Sequence, residues 1–265
     1  MRRAVHAETI RLTSTPMLRR FLLGALGVGL FLTGGLILMG PDHMNPPMPG
    51  PDTADGIRGL LGVLVLSAPI PVLLGSRLMT NETEHRTVVP TLLAQPNRQV
   101  VVTAKLLAAL VVGLLYGAVL AVGALVGLYG GCAAAGITPA LGVATVAPEV
   151  ARIGLSMALY TLIGVGIGAL LPRAQLCLAV AIGWFYLAES MLSALPALRS
   201  IYPFLPGGAA SAITGQSFVL DAIQASTPGA PLQLLPAWLG ALVLLGYAVL
   251  ASLLALATTL RRDIR

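Results

Sequence analysis

The sequence predicts an all-α polytopic membrane protein, with six transmembrane helices preceded by an N-terminal interfacial helix. Three observations carry this. First, charge is scarce: of 265 residues, 57% are hydrophobic and only 10% charged. A soluble domain carries about 25% charged residues, so this chain could not cover a water-facing surface. Second, six continuous apolar stretches each approach the roughly 20 residues a helix needs to cross a bilayer. Third, these stretches are unbroken rather than alternating, which excludes a strand barrel. No polar stretch is long enough for a separate soluble domain, so residues 1–265 read as one transmembrane unit.

The spans are expected at Phe21–Met39, Ile57–Gly75, Leu106–Tyr129, Ile153–Leu171, Ala174–Leu195 and Ala237–Leu260. Their orientation follows from the basic residues. Arg2, Arg3, Arg11, Arg19 and Arg20 precede span 1. Arg77, Arg86, Arg98 and Lys105 lie between spans 2 and 3, Arg173 between spans 4 and 5, and Arg261, Arg262 and Arg265 after span 6. Only Arg58, Arg152 and Arg199 fall on the other side. Lys and Arg concentrate in cytoplasmic segments, so both termini are expected in the cytoplasm. The same rule explains the sequence pI of about 9.9, and no nucleic-acid partner is expected.

Met1–Arg20 intersperses Val5, Ile10, Leu12, Met17 and Leu18 with arginines, the pattern of a basic helix in the lipid headgroup layer. It lacks the short apolar region and small-residue cleavage site of a signal peptide. Pro41–Asp55 holds Asp42, His43, Asp52 and Asp55 in a Pro/Gly-rich setting. No spacing fixes those side chains on one face, so a solvated loop is expected and no metal site. Pro69 and Pro71 each remove a backbone donor from span 2 and predict a kink or break there, either for packing or along a transport path. Gly113/Gly117, Gly123/Gly127 and Gly164/Gly168 put small residues every fourth position, a signal for close helix packing. Cys132 and Cys177 are expected on opposite sides of the membrane, unpaired.

Glu189 is the one acid inside an expected span. Intramembrane acids suggest a transport role. Yet Glu189 sits about two helical turns, some 10 Å, from Pro196. A position in outer-side water, or a pair with Arg152 or Arg199, would also account for it. Residues 196–236 then form the longest outer connection. Its stretch Y-P-F-L-P-G-G-A-A-S-A-I-T-G is too apolar for an ordinary loop and too interrupted to cross. A re-entrant helical excursion into the outer leaflet is expected.

Several chemistries are missing. The only lysine, Lys105, lies between Ala104 and Leu106, so no Gly-Lys-Ser/Thr phosphate loop exists. There is no His-Glu-x-x-His and no Gly-x-Ser-x-Gly. His6, His43 and His85 all fall outside the spans. Catalytic residues, a bound metal and a cofactor on this chain are therefore not expected.

The polar content collects instead in residues 77–105, which are expected to form a cytoplasmic loop between spans 2 and 3. Glu82, Glu84, His85, Arg86 and Thr87 precede the apolar run V-V-P-T-L-L, which includes Leu92 and Leu93. Pro96, Asn97 and Arg98 come next. A charged rim around an apolar centre suits docking into a cleft on another protein.

In this arrangement the sequence resembles the type 2 family of ABC transporter permeases, membrane subunits of bacterial exporters. That family typically shows a Glu, then Gly-Thr, then Leu-x-x-Pro and Arg between spans 2 and 3. The matching residues here are Glu82 or Glu84, Thr87, Leu92 or Leu93, Pro96 and Arg98; Arg86 stands where the family often has Gly. The resemblance also covers the amphipathic N-terminus, the Gly-rich fourth span, the excursion before span 6 and the Arg-Arg-Asp ending. It implies a bacterial plasma membrane location and a pair of permease subunits, identical or not, within membrane lipid. It further implies a separate ATPase subunit that holds ATP and magnesium. Residues 82–98 would then be a coupling helix, and the spans kinked at Pro69 and Pro71 would re-pack when the ATPase closes. The competing reading is an ion-coupled secondary transporter using Glu189. That class predicts buried titratable groups and internal repeats.

Overall fold

The computed structural model describes residues 16–40, 43, 48–84, 98–171, 173–195, 199–215 and 234–257. Among them there are helices and no strands. Six helices are long and apolar enough to cross a membrane: Pro16–Met39, Ala54–Asn81, Val102–Ala135, Val143–Leu170, Ala174–Leu192 and Ala237–Ala257, called spans 1 to 6 below. The chain is an all-α, multi-pass membrane protein. Residues 1–15, where most of the expected interfacial helix falls, lie outside the described residues.

Span 4 is the axis of the bundle. Buried residues make up 83% of its most apolar window, against 28% in spans 1 and 6 and 17% in span 5. Spans 2, 3 and 6 all pack on it. The glycine spacings explain how. A Cβ on Gly117 would overlap the backbone of Gly154, and one on Gly113 would lie 2.9 Å from Ala158 Cα, so spans 3 and 4 touch almost backbone to backbone. On another face of span 4, Gly164 meets Val72 and Gly168 meets Ser76 of span 2. Gly166 turns to Ala251 and Ser252 of span 6. Without a hydrophobic force between helices in lipid, close approach and the dispersion it permits supply the association.

Span 1 joins through span 3 by the same device. A Cβ on Gly123 would come within 2.5 Å of Leu26 O, and one on Gly34 within 2.9 Å of Gly127 O. The buried Thr33 hydroxyl lies 2.9 Å from both Gly29 O and Ala124 O and donates toward them. Thr33 sits in a π-helical turn, Phe31–Gly35, where the local widening of the helix frees backbone carbonyls. Cys132 and Cys177 are both buried and form no disulfide.

Span 2 is broken as its prolines predict. An α-helix over Ala54–Gly62 tightens into a 3-10 segment at Val63–Ser67, and a new α-helix starts at Pro69. Pro69 opens that helix, where a missing N–H costs nothing. Span 4 begins earlier than expected, at Val143 rather than Ile153. Pro148, Glu149 and Arg152 mask its first turns in the sequence. Glu149 is accommodated by Arg58 of span 2, whose Nε lies 3.4 Å from Glu149 Oε1.

One expectation needs correction. Residues 77–105 are not a loop throughout. Arg77–Glu84 continue the helix of span 2, and Arg98–Lys105 begin the 38-residue helix Arg98–Ala135. The run Q-V-V-V-T-A carries nothing that stops a helix. Lys105 itself is buried. It is 2% exposed, and its Nζ donates to Leu78 O at 2.8 Å, tying span 3 to span 2. Lys105→Met keeps the stem and removes the donor. We expect it to cost about 2 kcal/mol, the scale of a hydrogen bond from a charged group, read as a lower unfolding midpoint in detergent.

Candidate functional site

The candidate site lies inside the bundle, away from Glu84 and Arg98, at the level of Val65 and Leu66 in span 2 and Tyr160 in span 4. It forms where spans 2, 4, 5 and 6 meet the excursion between spans 5 and 6. Residues 199–215 of that excursion fold as a 3-10 turn, Arg199–Phe204, and a helix, Pro206–Thr214. Pro206 stands at the first helical position, and Gly215 ends the helix in the left-handed conformation, φ 70°. All of Gly208–Thr214 is buried. An apolar helix of nine residues, too short to cross, is thus packed among the spans, as a re-entrant excursion requires.

A helix start buried in an apolar setting leaves several N–H groups to satisfy. The residue before this helix, Leu205, has no side chain that could cap it. Glu189 supplies the acceptor from span 5. Its Oε1 accepts from Gly207 N at 2.6 Å and from Gly208 N at 3.3 Å. The positive end of the helix dipole adds to the attraction. A Cβ at Gly207 would fall within 2.8 Å of both carboxylate oxygens, so the close approach needs glycine there.

Glu189 is aimed by an irregularity in its own span. The helix Ala174–Ile182 widens into a π-helical stretch, Gly183–Ala188, immediately before it. One extra residue in a turn rotates the remainder of a helix by about 100°. In a span whose side chains mostly face outward, Glu189 is only 3% exposed.

Tyrosines from three spans hold the surrounding backbone. The Tyr160 hydroxyl of span 4 donates to Pro206 O at 2.9 Å. Tyr247 of span 6 donates to Phe204 O at 3.2 Å. Tyr186 of span 5 donates to Leu66 O in the 3-10 segment of span 2. Tyr160 also packs edge-to-face on Phe185, with ring centroids 5.1 Å apart. Between these groups lies a small cavity of about 40 Å³, with Val65, Leu66, Tyr160, Phe185, Tyr186, Glu189, Tyr202, Gly207 and Ser211 at its walls.

Glu189 is therefore not in outer-side water, being 3% exposed, and not paired with Arg152, which is exposed; the side chain of Arg199, the other expected partner, lies outside the described residues. The partners of Glu189 are backbone amides. The sequence reading missed the tyrosines and Gly207 and Gly208. The missing cap before P-G-G was the signal that a distant acceptor must reach this helix. Pro69 and Pro71 lie just past the 3-10 segment whose Val65 and Leu66 line the cavity. The docking residues fare differently. Glu82, Glu84 and Arg98 lie on the helical ends of the polar segment, their side chains outside the described residues. Arg86, Thr87, Leu92, Leu93 and Pro96 lie wholly outside them. The two candidate regions are thus separated along span 2: Val65 and Leu66 lie at its middle, and Glu84 ends its helix.

Comparison with protein-family models and with curated proteins finds no match to this chain.

Proposed function

We propose that this chain is the membrane-spanning permease subunit of an ATP-driven ABC exporter, working with a separate ATPase. One observation carries the reading furthest: where the polar segment leaves and re-enters the bundle. Span 2 runs into it through Glu84, span 3 runs out of it from Arg98, and Lys105 fastens the two together at Leu78. Span 2 in turn lies on span 4 at Gly164 and Gly168. A push on residues 85–97 by a partner would reach the axis of the bundle through packed backbone. It would also reach the 3-10 break at Val63–Ser67 and the excursion beside it. Such a chain of contacts suits a two-state element biased by a partner's ligand. ATP and magnesium belong to the partner, since this chain has no phosphate loop. In this reading the protein resides in a bacterial plasma membrane, with its termini in the cytoplasm and a second permease subunit beside it.

The test is a pull-down of the tagged chain from mild detergent. A co-purifying ATPase, lost when residues 82–98 are scrambled, supports the reading. Purification without any ATPase overturns it. Glu84→Lys is expected to uncouple ATP hydrolysis from transport at unchanged membrane insertion, and wild-type coupling in that variant would count against docking here.

A second reading, an ion-coupled transporter, is favoured by the burial of Glu189 inside a span. It predicts transport driven by an ion gradient with no ATPase present, abolished by Glu189→Gln.

A further inference from the structure

We propose that the cavity beside Glu189 binds a primary ammonium group, with the second carboxylate oxygen as its anchor. The two backbone donors both address Oε1. Among the described residues, Oε2 receives no hydrogen bond, and Glu189 forms part of the cavity wall.

Charge points the same way. A carboxylate carries one negative charge, while a helix N-terminus offers about half a positive charge. No Lys, Arg or His is among the residues that line the cavity. The excursion helix therefore satisfies the geometry of one oxygen and only part of the charge. In an apolar setting an incompletely balanced carboxylate calls for a cation or a proton.

The remaining walls suit an organic cation. Tyr160, Phe185, Tyr186 and Tyr202 contribute aromatic rings, and ring faces attract ammonium groups. The hydroxyls of Tyr160 and Tyr186 donate to Pro206 O and Leu66 O, so neither proton competes for Oε2. Val65 and Leu66 add apolar surface for the first carbons of an alkyl chain. The volume of about 40 Å³ equals roughly three water-sized probes. That admits an –NH₃⁺ head and little more, which favours a primary over a trimethylated amine. Tyr186, half-exposed at the rim, leaves a way out for the rest of an amphiphile. An aminolipid headgroup and a free amphiphilic amine share this chemistry.

The experiment uses the purified full chain in phosphatidylcholine nanodiscs, titrated calorimetrically with octylammonium, octanol and octanoate. The expected result is saturable one-to-one binding of octylammonium only, weakened at least tenfold by Glu189→Gln. Glutamine keeps a carbonyl oxygen for Gly207 and Gly208, so the excursion helix stays capped while the charge is lost. Val65→Phe, which fills the cavity from span 2, is a second variant expected to weaken binding with Glu189 intact. Equal binding in wild type and both variants, or none in wild type, overturns the proposal. Repeating the titration in discs containing phosphatidylethanolamine separates the two sources. Lost octylammonium binding identifies a lipid occupant, and retained binding a free amine. The titration needs no ATPase, so its outcome is independent of the permease reading.

Discussion

Gly164→Leu is expected to prevent assembly of the bundle. The nearest atoms to a Cβ at this position are the carbonyl of Val72, with Val72 C at 2.9 Å and Cα at 3.0 Å. These are backbone atoms, which no rotamer change can move aside. To admit any side chain, span 2 must move off span 4. That movement disturbs the neighbouring contact of Gly168 with Ser76 and takes the Leu78–Lys105 tie with it. Overpacking a well-fitted core costs about 3 kcal/mol at the upper end of its usual range, and here a whole interface is lost. The readout is the monodisperse fraction after heating in detergent. Gly24→Ala and Gly246→Ala are the controls: both glycines are exposed, and nothing lies within 4 Å of a Cβ at either. Each is expected to hold or raise the midpoint, since Ala is preferred over Gly in a helix by roughly 0.5–1 kcal/mol. A wild-type midpoint for Gly164→Leu would mean that spans 2 and 4 do not cross there.

The same residues show what a sequence can disclose about this fold. Gly113, Gly117, Gly123, Gly127, Gly164 and Gly168 each occupy a helix crossing, because spacing by four is a local property that lipid packing exploits directly. The six spans were legible for the same reason: hydropathy is summed along the chain. Their ends were not. Span 4 starts ten residues earlier than its apolar run, because helix continues through Glu149 and Arg152, and Glu149 meets Arg58, 91 positions away. Residues 77–84 and 98–105 read as loop because they are polar, yet helix continues through polar residues wherever no breaker intervenes. The site was half legible. Glu189 stood out as a lone acid, but its partners did not, because backbone amides leave no mark on composition. The excursion helix was expected from its apolar yet interrupted stretch. That Tyr160, Tyr186 and Tyr247 converge on it depends on three different spans and is set only by their packing.

Glu189→Leu is expected to free the excursion helix. Leucine fills a similar volume and removes the acceptor, leaving Gly207 N and Gly208 N without a side-chain partner at a helix start that Leu205 cannot cap. Each buried, unsatisfied donor costs about 1–3 kcal/mol, and loss of the charge–dipole attraction adds up to about 2 kcal/mol. Hydrogen exchange reads the result locally. Opening of Pro206–Thr214 made easier by about 3 kcal/mol corresponds to roughly a hundredfold faster exchange of its amides, with spans 3 and 4 unchanged. Unaltered protection of this helix would show that the tyrosine contacts to Pro206 O and Phe204 O hold it without Glu189. Tyr160→Phe and Tyr247→Phe each leave one carbonyl short of a donor and are expected to have smaller effects. Glu189→Gln should leave exchange near wild type, because its amide oxygen still accepts. Leucine removes cap and charge together, while glutamine removes the charge alone. A function lost in both variants therefore depends on the carboxylate's charge. A function lost only with leucine depends on the excursion helix staying in place.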